Sequence, residues 1–281
     1  MPQPVVRLVT PAHPGDQKHD SRDAFEKQLL DTDGWRHKID YQAYYGRYDQ
    51  PTLQTMAQNA VTDAQAAVAA NQPAVIVTAG TMATVMVQNQ TQGSTIVVIQ
   101  AAGGAITTPQ TNVTGFTINA LAIANYHLSN VGSNEVTVLY DDSPDPNPSL
   151  YVFEHLQSNG KQITPLPIRF SNPNGLKTLS AGSLKGGFML LPNAMYYNHL
   201  DDIVKYVDGK TVGGNPVSIY YPELEYKKAH TNSTTNVYVY GHDIPNTYVQ
   251  AAGYVDQVLK GTMSVQQMNL PPIQEALQQT G

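Results

Sequence analysis

Two adjacent carboxylates, Asp141 and Asp142, close an apolar run and stand just ahead of Ser143-Pro144. A carboxylate in that position either holds a ligand amine, as Asp142 could, or caps the turn that follows. Gly80-Thr81 ends another apolar run and opens a helical pattern. Its backbone N–H groups and the positive end of the helix dipole could receive a carboxylate or similar oxygen. The same pair also reads as a tight turn with Thr81 as an N-cap. Tyr140, Tyr220 and Tyr221 could stack on a planar ligand, in a chain that holds 17 tyrosines. His13, in the loop Thr10-Pro11-Ala12-His13-Pro14, has the chemistry of a general base. No Ser or Asp partner is evident beside it, which favours a binding or surface role.

Several chemistries are excluded by residue type and spacing. The eight histidines contain no HExxH or comparable i, i+4 pair, so no metal is expected. No GxSxG, no Walker loop and no GxGxxG after a strand is present, and Gly103-Gly104 is too short to cradle phosphates. Neither a cofactor nor a catalytic residue is expected. With no cysteine there is no thiolate nucleophile, disulfide or thiolate metal site. A net charge of -6, only 14% charged residues and no dense Lys/Arg cluster argue against a nucleic-acid partner.

The elements that must position these residues follow from apolar periodicity. The first half reads as strand Val5–Thr10, helix Asp20–Leu30 with Phe25, Leu29 and Leu30 on one face, and strand Ile39–Tyr45. Asp49 as N-cap and Pro51 in the first turn then open a long helix, whose apolar face carries Leu53, Met56, Ala57, Ala60, Val61, Ala64 and Val68. Strand Ala74–Thr78, helix Gly80–Gln90 and strand Ile96–Gln100 complete this half. After Asn112–Thr117 the rhythm restarts with strand Val136–Tyr140, helix Ser149–Ser158, strands Gln162–Ile168 and Gly187–Leu191, helix His199–Val207 and strand Val217–Tyr220. Helix Ile244–Leu259 comes last.

This alternation implies an α/β protein with two Rossmann-like lobes, each on a parallel sheet. The expected division is 1–113 with about 244–259 for one lobe and about 118–240 for the other, with hinge crossings near 112–117, 240–244 and 260–270. Ligands of open parallel sheets bind outside the carboxyl ends of the strands. That rule assembles a candidate site from Thr10, His13, Gly80, Thr81, Met82, Gln100, Ala101, Phe116, Tyr140, Asp142, Asn193, Met195 and Tyr221. Met1–Thr10 has no basic stretch followed by an apolar one, so no signal peptide is expected in it, and no run reaches the 18 or so apolar residues of a membrane span.

Several segments together resemble the tryptophan/tyrosine-type substrate-binding family of ABC transporters, which has the type I periplasmic-binding-protein fold. They are Thr52–Val77, Gly80-Thr81 with Ala83, Asn112–Gly115, Val138–Asp142 ahead of Asn147, and Tyr240–Leu270. Their order and spacing carry the resemblance through most of the chain. It implies the receptor of an ABC importer, two lobes closing about a hinge on a small organic ligand such as an amino acid, and a cognate permease as partner. It also implies a monomer at the periplasmic or extracellular side of a membrane. One turn departs from the pattern: Gln100-Ala101-Ala102-Gly103-Gly104 stands where members usually carry a Thr-Asp-Pro-like turn. A carboxylate that could hold a ligand amine is missing there. Thinly charged strand ends, with Gln100, Asn193 and several tyrosines, suggest a small, largely neutral or carboxylate-bearing ligand with a planar part. A cytosolic or regulatory ligand-sensing module of the same architecture is the alternative, although no basic helix-turn-helix precedes Val5. An enzyme such as a two-lobed racemase would lack its usual thiol pair.

Overall fold

In a computed structural model the continuous apolar runs become strands covered on both faces, as parallel sheets require. It describes residues 3–14, 21–47, 49–104, 112–142, 148–169, 184–193, 196, 199–223 and 235–262. These form two compact units, one running to Ile118 and resuming at Ile244, the other spanning Asn119–Asp243.

The first unit contains β1 (Val5–Thr10), β2 (Asp40–Tyr45), β3 (Ala74–Ala79), β4 (Val97–Gly103) and β5 (Val113–Thr117). They pair in the order β2-β1-β3-β4-β5, parallel throughout. Side chains alternate along β1. Val5 and Val9 pack with Leu53, Ala57, Ala60 and Ala83 of α2 (Gln50–Ala69) and α3 (Gly80–Thr91). Val6 and Leu8 share the opposite cluster with Phe25 of α1 (Ser21–Glu26) and with Tyr248, Ala251 and Val255 of α7 (Ile244–Leu259). Asp49 caps α2 by accepting the Thr52 N–H at 2.9 Å, with Pro51 in the first turn. Arg7 is buried in β1, a position that its ion pairs with Asp40 and Asp63, both at 2.8 Å, make tolerable. The helix expected over Asp20–Leu30 is α1 followed by a π-helical turn, Lys27–Thr32, and this wider winding still buries both Phe25 and Leu29.

The second unit contains α4 (Ala120–Asn130), β6 (Glu135–Asp141), α5 (Pro148–Glu154), β7 (Gln162–Ile168), β8 (Gly187–Leu190) and α6 (Leu200–Val207). A short antiparallel pair, β9 (Thr211–Val212) and β10 (Asn215–Pro216), precedes β11 (Ser218–Glu223) and β12 (Asn236–His242). The sheet runs β12-β11-β8-β6-β7 and is again parallel throughout. Ala124, Leu128 and Val152 of α4 and α5 cover Val136, Val138 and Met189 of the sheet. The edge strand β7 carries the exposed Pro165 and Pro167, which remove donors from an open edge.

Counted within each unit, both sheets have the same strand order, 2-1-3-4-5. Asn112–Thr117, read from sequence as a hinge, contributes β5 of the first sheet. The helix expected to reach Ser158 ends at Glu154, ahead of the turn where Asn159 and Gly160 take φ of 48° and 79°. Among the described residues no helix is long and apolar enough to cross a membrane.

Candidate strand-end ligand site

A 2-1-3-4-5 sheet reverses its direction of winding between the first and third strands. The carboxyl ends of β1 and β3 in one unit, and of β6 and β8 in the other, therefore stand at the switch points where open α/β sheets take ligands. Thr10 ends β1, buried, and its hydroxyl accepts the Ala12 N–H at 3.3 Å, shaping the turn that leads to the half-buried His13. At the end of β3, Ala79 is extended and Gly80 switches to a φ of 79°. A Cβ at Gly80 would meet nothing within 4 Å, so the surface before α3 is open there. The next residue, Thr81, accepts the Gly104 N–H on its hydroxyl oxygen at 2.9 Å. With that oxygen accepting, the Thr81 O–H remains as a donor beside the positive end of a 12-residue helix. Met82 packs partly into the core under α2.

Three of the residues expected at the site face the core instead. Gln100 and Ala101 are fully buried, and Phe116 is nearly so. Both faces of this sheet are covered, so Gln100, in register with Thr78 and Gly115, is buried with its strand; a β-bulge follows it, where Ala79 pairs with Ala102 and Gly103 with Thr117. The extra residue in β4 changes which side chains point inward at its end. The Gln100 amide donates to Gly103 O at 2.9 Å and to Phe116 O at 3.0 Å. Tyr221 is also fully buried, and burial pushes its phenol far above the ordinary range.

In the second unit Asp141, rather than Asp142, is the buried carboxylate. It accepts the Asn193 side-chain amide at 3.0 Å, tying the carboxyl end of β6 to the segment after β8. Asp142 is half-buried and pairs with Arg169 at 3.0 Å, so a ligand amine would compete with a guanidinium. Tyr140 stacks on Phe153 with ring centroids 4.0 Å apart and planes 4° apart. Burial first, then the Asp142 and Glu154 carboxylates, push its phenol upward, so it stays protonated at neutral pH. Met195 lies outside the described residues.

The structure adds residues that the sequence reading passed over. Arg22 donates to the Tyr45 phenol at 2.7 Å, at the carboxyl end of β2, and pairs with Asp23 and Glu26. A cation in the first turn of a helix opposes the dipole, and that is the one local signal that marks it. His127 of α4 is buried, with Nε2 2.8 Å from Tyr221 O and 2.9 Å from Tyr240 O. Carbonyls only accept, so Nε2 carries the proton. Burial lowers the imidazole pKa to about 4, against the raising effect of those two bonds. Nothing in the spacing of His127 announces this. Among the described residues no three His, Asp or Glu side chains are grouped as a metal site would need.

Two parallel five-stranded sheets with flanking helices and this strand order define the type I periplasmic-binding-protein fold. No protein-family model matches the sequence, and no curated protein matches it. Solved structures do. The ABC domain from Streptococcus pneumoniae in complex with L-Trp superposes with a TM-score of 0.72 at 16% identity, covering 98% of this chain and 90% of that one. A branched-chain amino acid transporter substrate-binding protein from Streptococcus pneumoniae, in complex with isoleucine, gives 0.67 at 12% identity, covering 94% and 86%. The trehalose repressor from Escherichia coli gives 0.60 at 9% identity, covering 94% and 96%. ABC substrate-binding proteins and transcriptional repressors thus share this architecture, which shows the fold and not the ligand.

Proposed function

We propose that the chain is the solute-binding receptor of an ABC importer, taking a small organic ligand such as an amino acid or another carboxylate-bearing solute. One observation carries the reading: an open glycine at φ 79°, a helix N-terminus and a Thr81 hydroxyl whose O–H has no acceptor among the described residues converge at the β3 end. All three favour a ligand atom that accepts hydrogen bonds, as a carboxylate does. The solved neighbours in complex with L-Trp and isoleucine support that class. The cognate permease would be its protein partner, and the periplasmic or extracellular face its site of action.

Thermal shift against L-tryptophan, L-isoleucine, aromatic acids, nucleosides and sugars tests this, followed by calorimetry on any hit. Thr81→Val is expected to weaken binding by about 1.5–3 kcal/mol, the contribution of a hydrogen bond to a charged group, with the fold retained. Silence across the whole panel would sink the receptor reading. The likeness to a repressor keeps a second reading, the effector-sensing core of a regulator. Permease and ATPase genes beside this one favour transport, and a DNA-reading segment fused to the chain favours the regulator.

A further inference from the structure

Gln100 is polar and wholly buried, on the bulged strand that flanks α3. A bulge leaves ladder groups unpaired. Here the Gln100 Nε2 group takes their place, donating to both Gly103 O and Phe116 O. Gly103 O also accepts the Ile118 N–H at 2.9 Å, so one carbonyl joins the end of β4 to the residue after β5. The strand end is tightly enclosed on its other side. A Cβ on Gly103 would lie 2.9 Å from the Gly80 carbonyl carbon and the Thr81 nitrogen, and 3.2 Å from Gln100 Oε1. The following residue, Gly104, is the one that donates to the Thr81 hydroxyl. A continuous path therefore runs from Phe116 O through the Gln100 amide and Gly103 to Thr81.

The Gln100 side chain is also imperfect as a structural brace. Its Oε1 is buried with no hydrogen-bond partner among the described residues. An apolar side chain of the same length would avoid that orphan oxygen but could not donate.

We infer that Gln100 is a positioning residue: its amide holds the β4 bulge in the form that brings the Gly104 N–H onto the Thr81 hydroxyl oxygen, leaving the Thr81 O–H as a donor before α3. The consequence for ligand affinity rests on the receptor reading above, whereas the positioning itself does not, so it is tested on the full chain without ligand.

The measurement is amide hydrogen exchange by NMR. In Gln100→Met the Gly104 and Ile118 amides are expected to lose about tenfold in protection, the equivalent of one weak hydrogen bond. The Val6, Leu8 and Val77 amides keep theirs. Thr81→Val exposes Gly104 to a similar degree, and the double variant exposes it no further than either single one, because both changes break one path. Unchanged protection at Gly104, additive losses, or a uniform loss across the sheet would each overturn the inference. Should Gln100→Met fail to fold, Gln100→Glu decides. Its carboxyl can donate only when protonated, so protection at Gly104 rises toward the wild-type value as pH falls, while a profile parallel to the wild type overturns it.

Discussion

At the scale of single residues, His127 shows how burial turns an ordinary side chain into a pH-dependent one. Its Nε2–H serves the carbonyls of Tyr221 and Tyr240, and the Tyr220 ring meets it edge-on at 5.8 Å. With a folded pKa of about 4 against 6.5 for a free imidazole, the folded unit binds fewer protons than the unfolded chain between those values. Stability from this residue is full above pH 6.5 and declines as pH falls to 4, by about 3 kcal/mol at the limit. Denaturant titrations between pH 7.5 and 4.5 should show that slope, and His127→Gln, which keeps a donor, should flatten it. An unchanged slope would remove His127 as its source. Gly80 makes the complementary case at the candidate site. Gly80→Ala finds empty space but a φ of 79°, so it should lower stability by about 1–2 kcal/mol through backbone strain alone, read by thermal unfolding.

At the scale of elements, the β4–β5 pair is held by an exchange between a bulge and a glycine. Gly115 sits at φ 140°, and a Cβ there would fall 2.1 Å from the Gln100 carbonyl oxygen. Gly115→Ala must therefore separate the two strands, and a loss of at least about 3 kcal/mol is expected from strain and overpacking together. Asp49→Ala at the start of α2 is a milder change. It removes the bonds that Asp49 accepts from the Thr52 N–H and hydroxyl and should cost about 1 kcal/mol in a denaturant titration, without altering the sheet. The difference between these two glycine and cap variants separates tertiary constraint from local helix chemistry.

At the scale of the whole molecule, each unit has its own parallel sheet and its own apolar clusters. Trp35 is the sole tryptophan, and its indole N–H donates to Asp256 at 2.7 Å within the first unit. Its fluorescence therefore reports that unit. Leu8→Ala, at a fully buried position of β1, should destabilise the tryptophan-reported transition by about 2–5 kcal/mol, while the transition of the tyrosine-rich second unit stays in place in calorimetry. A shift of both transitions by the same amount would show that they unfold as one.

The sequence by itself determined the α/β rhythm, the parallel sheets and most element limits. Runs such as Val5–Thr10 and Ala74–Thr78 are apolar at every position, and Asp49 and Pro51 mark a helix start chemically. It also placed Gly80-Thr81 correctly at the head of a helix, since a glycine between an apolar run and a helical pattern is a local signal. Less regular segments were not legible, among them α4, β12 and the β9–β10 pair. Only the tertiary structure decided which strand-end residues face outward. Both faces of the parallel sheet are covered, so Gln100 is buried in register with Thr78 and Gly115, and the bulge that follows it resets the alternation of β4. Likewise Asp141, not Asp142, meets Asn193, and His127 meets carbonyls 94 and 113 residues away. Those pairings depend on how distant segments close onto one another, and spacing along the chain carries no record of that closure.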